Sequence, residues 1–131
     1  MIVYDTNHDR LDLAELAALL AAVGWADLAK DPERLAAAVR GSRWVVSAWD
    51  GEKLVGFCRA YSDGAFAAYL TNVAVLPEYQ RRGIGGELVR RLLAGHDAIS
   101  FDLHADAAVQ AFYAKLGFVP RADMFRRPRS S

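Results

Sequence analysis

A glycine-rich segment spanning residues 80–87 has the residue types of an anion-binding turn. It reads Gln-Arg-Arg-Gly-Ile-Gly-Gly-Glu and follows an apolar run that Pro77 ends. A helix that begins among these glycines would present unpaired N–H groups and a partial positive charge, which suit an anion. Glycine lets the backbone approach the anion without a Cβ in the way, and Arg81 and Arg82 add positive charge. The segment therefore predicts a cradle for a phosphate or pyrophosphate.

Two common nucleotide-binding motifs do not fit this turn. The Gly-Lys-Ser/Thr ending of a P-loop is absent. The run Gly83-Ile84-Gly85 lacks the third glycine of the dinucleotide fingerprint, and the strand before it belongs to an antiparallel series. A glycine-rich loop that only caps an ordinary helix is the alternative to an anion site.

The rest of the chain predicts the elements that would position this turn. Capping residues, turn residues and apolar periodicity mark the boundaries; Asp12 and Glu15, for example, have the spacing of a capping box. The expected elements are a short N-terminal strand, a helix between Asp12 and Gly24, a helix between Asp31 and Gly41, strands 43–49, 53–61 and 66–75, a helix over 84–93, a strand over 98–103, a helix between Asp106 and Gly117, and final strand pieces at 118–119 and 124–125. This order predicts an α/β fold of the α+β type, with a mixed, mostly antiparallel sheet flanked by about four helices.

Composition limits the class of protein further. The chain has 131 residues, and 16 basic and 16 acidic residues give no net charge, so the basic excess of a nucleic-acid-binding protein is missing. The longest nearly uncharged apolar run, 16–25, is too short to span a bilayer, and no signal peptide is visible. One cysteine cannot form an internal disulfide and cannot alone build a cysteine-based metal site. The sequence predicts a single domain over residues 1–131, cytoplasmic, without nucleic-acid, membrane or metal partners. A basic cluster near the C-terminus is interpreted as a solvated end.

Two motifs resemble those of the GCN5-related N-acetyltransferases. Residues 80–85 match the Gln/Arg-x-x-Gly-x-Gly/Ala signature of that family, and residues 73–79 are similar to its fourth strand and the exit from it. Residues 112–118 are similar to a Phe-Tyr-x-Lys-x-Gly-Phe stretch on its last long helix. The element order from about residue 2 to 127 also fits. The resemblance implies the GNAT fold and an enzyme that transfers the acetyl group of acetyl-coenzyme A to a primary amine by direct attack in a ternary complex.

The resemblance also implies which residues hold acetyl-coenzyme A. Its pyrophosphate would be bound by backbone N–H groups of Arg81, Arg82, Gly83, Ile84, Gly85 and Gly86. Its pantetheine arm would lie beside Val73, Ala74 and Val75, rather like an added strand. A bulge near Asn72 or Val73 would open a slot for the thioester, and the N–H of Val73 is the candidate oxyanion donor.

Tyr113 is the catalytic candidate on the second motif. The resemblance implies that it acts as general acid toward the departing thiolate of coenzyme A and that Phe112 lies beside the cofactor. For both Tyr113 and Phe112, packing in the core is the alternative to a role at the cofactor. The family often has Asn seven residues before this tyrosine, where the chain has Asp106, so a helix cap is the alternative to a cofactor contact there.

The acceptor amine needs a base, because alkylamines have a pKa of about 10 and arrive protonated. A side chain or a chain of waters must take that proton. The candidates are Asp63, His104 and Glu78. The alternative for Asp63 is an ordinary turn residue, that for His104 is a hydrogen bond to a loop, and that for Glu78 is a solvated carboxylate. Cys58 lies mid-strand and is interpreted as buried filler, which disfavours a covalent acetyl-cysteine route.

Aromatic residues give the only indication of the acceptor. Trp25 and Tyr61 are candidate substrate contacts, with core packing as the alternative, and residues 59–66 resemble a small bacterial subgroup similar to plastid serotonin acetyltransferases. A small arylalkylamine is therefore ranked before a protein lysine or N-terminus. A non-catalytic acyl-coenzyme A sensor is the alternative to an enzyme, and family practice makes a homodimer an option.

Overall fold

The structure is a computed structural model, which describes residues 1–130. Its strands and helices are, in chain order, β1 (Ile2–Asp5), α1 (Leu13–Ala22), α2 (Ala26–Ala29), α3 (Pro32–Arg40), β2 (Trp44–Asp50), β3 (Lys53–Ser62), β4 (Ala67–Val75), α4 (Ile84–Leu93), β5 (Ser100–Asp102) and α5 (Gln110–Lys115). Short 3-10 turns lie at His8–Arg10, Pro77–Tyr79 and Ala107–Val109. Over this range no helix is both long enough and apolar enough to cross a membrane.

The five strands form one sheet in the order β1-β2-β3-β4-β5. The first four pair antiparallel, whereas β5 runs parallel to β4. Parallel pairing covers only three residue pairs and ends where Tyr69 meets Asp102. Beyond that point β4 continues to Val75 without β5 beside it. The predicted fold class is confirmed, and the sheet has a gap where the two strands separate.

Two apolar cores lie on opposite faces of the sheet. In the first core, Leu16 and Leu20 of α1 pack with Phe57 of β3. In the second core, Leu88 of α4 packs with Cys58 of β3. Successive residues of a strand point to opposite faces, so β3 serves both cores at once. The helices α1 to α3 thus cover one face, while α4 and the half-buried aromatics of α5 cover the other.

Helix α1 begins at the predicted cap, although the capping box is incomplete. The Oδ1 atom of Asp12 accepts from the N–H groups of Ala14 at 2.9 Å and Glu15 at 3.2 Å. The Glu15 carboxylate does not return that bond: its Oε2 accepts from the N–H of Leu54 at 2.9 Å. Glu15 therefore ties α1 to the start of β3.

We expect Glu15→Ala to lower the free energy of unfolding by about 1–3 kcal/mol, because the half-buried N–H of Leu54 would lose its acceptor. Glu15→Gln is the matched control, since it removes the same charge but keeps an oxygen at the same reach. Urea denaturation of both variants measures the difference. Equal losses in the two variants would show that the charge of Glu15, not this hydrogen bond, stabilises the fold.

Predictions for the last third of the chain are partly wrong. Residues 118–119 and 124–125 form no strand; Pro120 between them has no N–H to donate, and Val119 and Phe125 are 78% and 97% exposed, so no partner strand covers them. The expected helix after Asp106 is split into the 3-10 turn and the short α5, and the Asp106 side chain makes no capping hydrogen bond. The four-residue α2 was not predicted, because no side chain caps it.

Candidate active site

A bulge interrupts β4 at Asn72. The register pairs Phe57 with Ala74 but Arg59 with Thr71, so two residues of β4 stand opposite one of β3. Asn72 has a φ of +53°, the left-handed region that asparagine tolerates better than most residues. The predicted bulge is confirmed, and it lies where β4 has already left β5.

The bulge changes which residues of β4 face the second core. In a regular strand, residues three apart point to opposite faces. Leu70 before the bulge and Val73 after it nevertheless both pack toward the second core, together with Val75. Ala74 turns instead into the first core. The extra residue therefore directs Val73 and Val75 to the face that carries α4 and α5.

The bulge is held from the neighbouring strand. The Nε of Arg59 donates to Oδ1 of Asn72 at 2.7 Å, and its Nη1 donates to the hydroxyl of Ser42 at 3.3 Å. The Ser42 hydroxyl in turn donates to the carbonyl of Ala38 at 2.7 Å. Arg59 thus links the strained backbone of β4 to the end of α3.

The glycine-rich turn has the backbone geometry of an anion site. Arg81 has a φ of +66° and Gly83 a φ of +82°, and such turns direct successive N–H groups into one concavity. Gly83 is the N-cap of α4 and supplies no side-chain cap, so side chains leave the first N–H groups of the helix free for a ligand. The Gln80 side chain braces the turn by donating to the carbonyl of Val75 at 3.0 Å.

A cavity of about 460 Å³ connects this turn to β4 and α5. It is lined by Val73, Val75, Tyr79, Gln80, Arg81, Gly83, Ile84, Gly85, Gly86, Ala108, Val109, Phe112 and Tyr113. All predicted cofactor residues except Ala74 and Arg82 are among them. Ala74 is only 2% exposed and belongs to the first core. The Arg82 side chain lies over the ring of Tyr79, 4.9 Å from its centroid, and donates to the carbonyl of Glu78 at 3.1 Å.

The residues that sequence reasoning missed border the predicted ones. Tyr79 directly precedes the glycine-rich turn and Gln80 is its first residue. The Tyr79 hydroxyl donates to Asp50 at 2.6 Å, which fixes the ring. Val109 lies three residues before Phe112, the spacing of one helix face. That spacing was the available signal, because a neighbour on the same face shares the same surroundings.

Gly85 keeps the cavity open between β4 and α5. A Cβ at this position would lie 3.4 Å from Cζ of Phe112 and 3.8 Å from Cγ2 of Val75. A larger side chain would therefore fill the space between the two walls. The absence of a side chain at Gly85 therefore leaves room between β4 and α5.

Tyr113 stands between this cavity and a second one of about 570 Å³, formed by β5, α5 and the C-terminal segment. Its ring contacts Phe112 and Phe118 edge to face, at centroid distances of 4.9 Å and 5.8 Å. Burial, and then the nearby Cys58, raises the pKa of Tyr113 to about 12. The hydroxyl is therefore a protonated hydrogen-bond donor at neutral pH.

Comparison with known proteins identifies the family. Residues 40–120 match a family model described as an acetyltransferase (GNAT) domain. The chain belongs to the GNAT family. It is an acetyltransferase enzyme, and the resemblance drawn from the two sequence motifs is confirmed.

Individual GNAT relatives cover most of the chain. It is 31% identical to an uncharacterised N-acetyltransferase, ycf52, of Pyropia yezoensis, over 97% of this chain and 78% of that protein. It is 32% identical to serotonin N-acetyltransferase 2, chloroplastic, of Oryza sativa subsp. japonica, over 88% of this chain and 60% of that protein. A solved GNAT-family structure from Streptococcus pneumoniae superposes with a TM-score of 0.83 at 28% identity, over 99% of this chain and all of the other.

Within this GNAT site, the structure separates the candidate bases. Asp63 accepts from the N–H groups of Ala65, Phe66 and Ala67 at 2.8, 2.8 and 3.2 Å, and these bonds, that of Ala65 first, lower the pKa of its carboxyl. Such a carboxylate is a turn residue and a weak base. Glu78 is exposed outside the cavity lining. His104 is exposed and shares the wall of the second cavity with Tyr113.

The remaining GNAT candidates lie apart from one another in the fold. Trp25 packs against the first core, on the face opposite Tyr113. Tyr61 is 47% exposed and stacks on Tyr69 at 5.3 Å. Cys58 is buried, its pKa is raised by that burial, and its thiol points to the carbonyl of Leu88 at 3.6 Å. The predicted burial of Cys58 is confirmed.

Proposed function

We propose that this GNAT enzyme transfers the acetyl group of acetyl-coenzyme A to a small primary amine, with arylalkylamines as the first class. The observation that carries the proposal is the single cavity that joins the uncapped start of α4 to both Val73 and Tyr113. A diphosphate at one end of this cavity and a thioester at the other match its chemistry. Arg81 brings an exposed cation to the diphosphate end.

Binding of the donor uses backbone groups that the fold leaves available. The pyrophosphate would accept hydrogen bonds from N–H groups between Arg81 and Gly86, reinforced by the positive end of the α4 dipole. The pantetheine amides would pair with β4 after Tyr69, where β5 no longer occupies that edge. The thioester would then lie beside the bulge.

The transfer needs three events at the thioester. The amine nitrogen attacks the carbonyl carbon and forms the new N–C bond, while the carbonyl oxygen takes the π electrons and accepts from the N–H of Val73. The electrons on oxygen then re-form the C=O bond as the C–S bond breaks, and sulfur leaves with its electron pair and accepts a proton from Tyr113, which regains one from solvent. The extra proton on nitrogen leaves to water or to His104, the candidate base that shares a cavity with Tyr113.

Two observations support an aromatic acceptor. Tyr61 and Tyr69 form a stacked pair with an exposed ring, which gives an aromatic amine a flat surface to contact. The second is the 32% identity to a protein named for serotonin, an arylalkylamine.

An amine panel tests this function. Release of free coenzyme A thiol from acetyl-coenzyme A would be followed with phenethylamine, tyramine, spermidine and a lysine peptide. We expect turnover with the arylalkylamines that exceeds turnover with the peptide. Turnover with the peptide alone would assign a protein-modifying role, and binding of acetyl-coenzyme A without turnover on any amine would leave the sensor function.

The raised pKa of Tyr113 predicts the alkaline pH profile. A general acid works only while protonated, so raising its pKa to about 12 extends its working range upward. We expect kcat to rise with pH as the acceptor amine deprotonates and to show no fall up to a pH of about 10. Stopped-assay kcat values, with circular dichroism at each pH to confirm folding, measure this. A fall in kcat below pH 9, while circular dichroism shows that the enzyme is still folded, would contradict Tyr113 as the general acid.

A further inference from the structure

Arg59 is a half-buried cation whose partners are all neutral. Its guanidinium donates to the amide oxygen of Asn72 and the hydroxyl of Ser42. The ion pairs found within residues 1–130 use other cations. Burial lowers the pKa of Arg59, which reflects the cost of taking a charge from water without an anion beside it. Arginine is almost never fully buried unless it is paired, and Arg59 is only half-buried, so it remains accessible to an anion that the described chain does not supply.

The cavity of about 460 Å³ that we assign to the donor is called the coenzyme cavity below. Arg59 lies on the opposite face of the sheet. Its neighbours in β3, Cys58 and Ala60, belong to the second core, so Arg59 points to the other face. At the bulge, consecutive residues contact opposite faces of the sheet. Asn72 accepts a hydrogen bond from Arg59 on one face, and the next residue, Val73, lines the cavity with Tyr113 on the other. Arg59 lines neither cavity, but through Asn72 it lies one residue away from the cavity wall at Val73, on the face from which an acceptor would approach a donor in the cavity.

The free donors of Arg59 suit a carboxylate. A guanidinium has five N–H donors in a planar fork, and the two bonds to Asn72 and Ser42 leave donors on both Nη atoms unused. Carboxylates accept two such bonds in parallel. Tyr61 of β3 pairs with Tyr69 of β4, and their rings stack. This pair lies two residues along the strands from Arg59 and its partner Thr71, on the face of the sheet to which Arg59 points. A cation and an aromatic surface therefore stand side by side.

We propose that Arg59 is a specificity-determining residue that binds a carboxylate of the acceptor, carried within a few bonds of the reacting amine. The preferred acceptors are then small aromatic amino acids rather than plain arylalkylamines. This inference rests on the proposed function, whose donor, reaction and aromatic preference it keeps. It adds an acid group to the acceptor.

Three acceptors with the same phenol test it: tyrosine, tyrosinamide and tyramine, compared at a pH of about 10, where their different amine groups are largely deprotonated. Tyrosine carries the carboxylate, tyrosinamide replaces it with a neutral group of similar shape, and tyramine lacks it. We expect kcat/KM for tyrosine to exceed that for tyrosinamide by about 10- to 100-fold, the range of hydrogen bonds to a charged group.

Variants of Arg59 separate recognition from bracing of the bulge. Arg59→Met should remove the preference for tyrosine, Arg59→Lys should keep part of it, and Arg40→Met, at an exposed site on α3, should keep all of it. If Arg59 only braces Asn72, Arg59→Met will instead lower kcat for all three acceptors by the same factor with the preference unchanged. That result, or equal rates of tyrosine and tyrosinamide in the wild type, would overturn the inference.

A binding measurement keeps the inference testable apart from turnover. N-acetyltyrosine and N-acetyltyrosinamide would be titrated onto the complex with coenzyme A, and thermal melts would confirm that each variant is folded. We expect the acid to bind at least about tenfold more tightly than the amide in the wild type and equally in Arg59→Met. Equal binding in the wild type contradicts the anion site. Absence of thiol release with every amine contradicts the proposed function instead.

Discussion

Replacing Tyr113 with phenylalanine should lower kcat by about 10²- to 10⁴-fold, the usual contribution of a positioned general acid. Phenylalanine keeps the edge-to-face contacts with Phe112 and Phe118, so the cavity should keep its shape. Only the hydroxyl is lost, and the thiolate must then leave without a proton donor. Thiol release at saturating substrates measures kcat, and calorimetric titration measures the Kd of coenzyme A, which we expect to be nearly unchanged.

Tyr4→Phe is the matched control for this experiment. Tyr4 is also half-buried at the edge of the second core, where the Arg91 guanidinium lies 4.5 Å above its ring, but it does not line the coenzyme cavity. Its variant should retain the wild-type kcat. A Tyr113→Phe enzyme with full kcat would remove Tyr113 from the chemistry and reduce it to a core aromatic.

Local sequence signals predicted the elements that hold the site. A cap such as Asp12, a two-residue turn at Gly51 and a glycine at the start of α4 each act within a few residues, so their effect can be read without the rest of the fold. The antiparallel strands followed from turns of this kind. The prediction that Phe112 and Tyr113 of α5 line the cavity came from the motif at residues 112–118 and not from their spacing. Helix periodicity alone does not separate a ligand contact from a core contact.

Long-range contacts account for what the sequence could not predict. The bond between Arg59 and Asn72 joins residues thirteen apart across two strands and depends on the bulge, which turns one β4 residue out of register. The Glu15 carboxylate was expected to cap its own helix but contacts Leu54, which only the packing of α1 on β3 brings near. The C-terminal residues were expected to form a strand from composition, yet strands form only where another strand offers its edge.

Gly83→Ala should weaken the binding of coenzyme A by about 10- to 100-fold. Gly83 has a φ of +82°, and a non-glycine residue in left-handed backbone costs about 1–2 kcal/mol. Relaxing that strain moves N–H groups of the turn off the pyrophosphate, and each hydrogen bond to a charged group is worth about 1.5–3 kcal/mol. Calorimetric titration of coenzyme A measures the Kd directly, without any acceptor.

Gly95→Ala separates strain from ligand binding. Gly95 follows the other end of α4 with a φ of +81°, and a Cβ at either glycine would meet nothing within 4 Å. Both variants should therefore lose about the same stability, 1–2 kcal/mol, in urea denaturation. Only Gly83 lies at the turn whose N–H groups are free, so only its variant should raise the Kd. If both variants bound coenzyme A as tightly as the wild type, the diphosphate would have to bind elsewhere. The two substitutions strain the backbone equally at the two ends of one helix, so they differ only in whether they lie at the proposed diphosphate site.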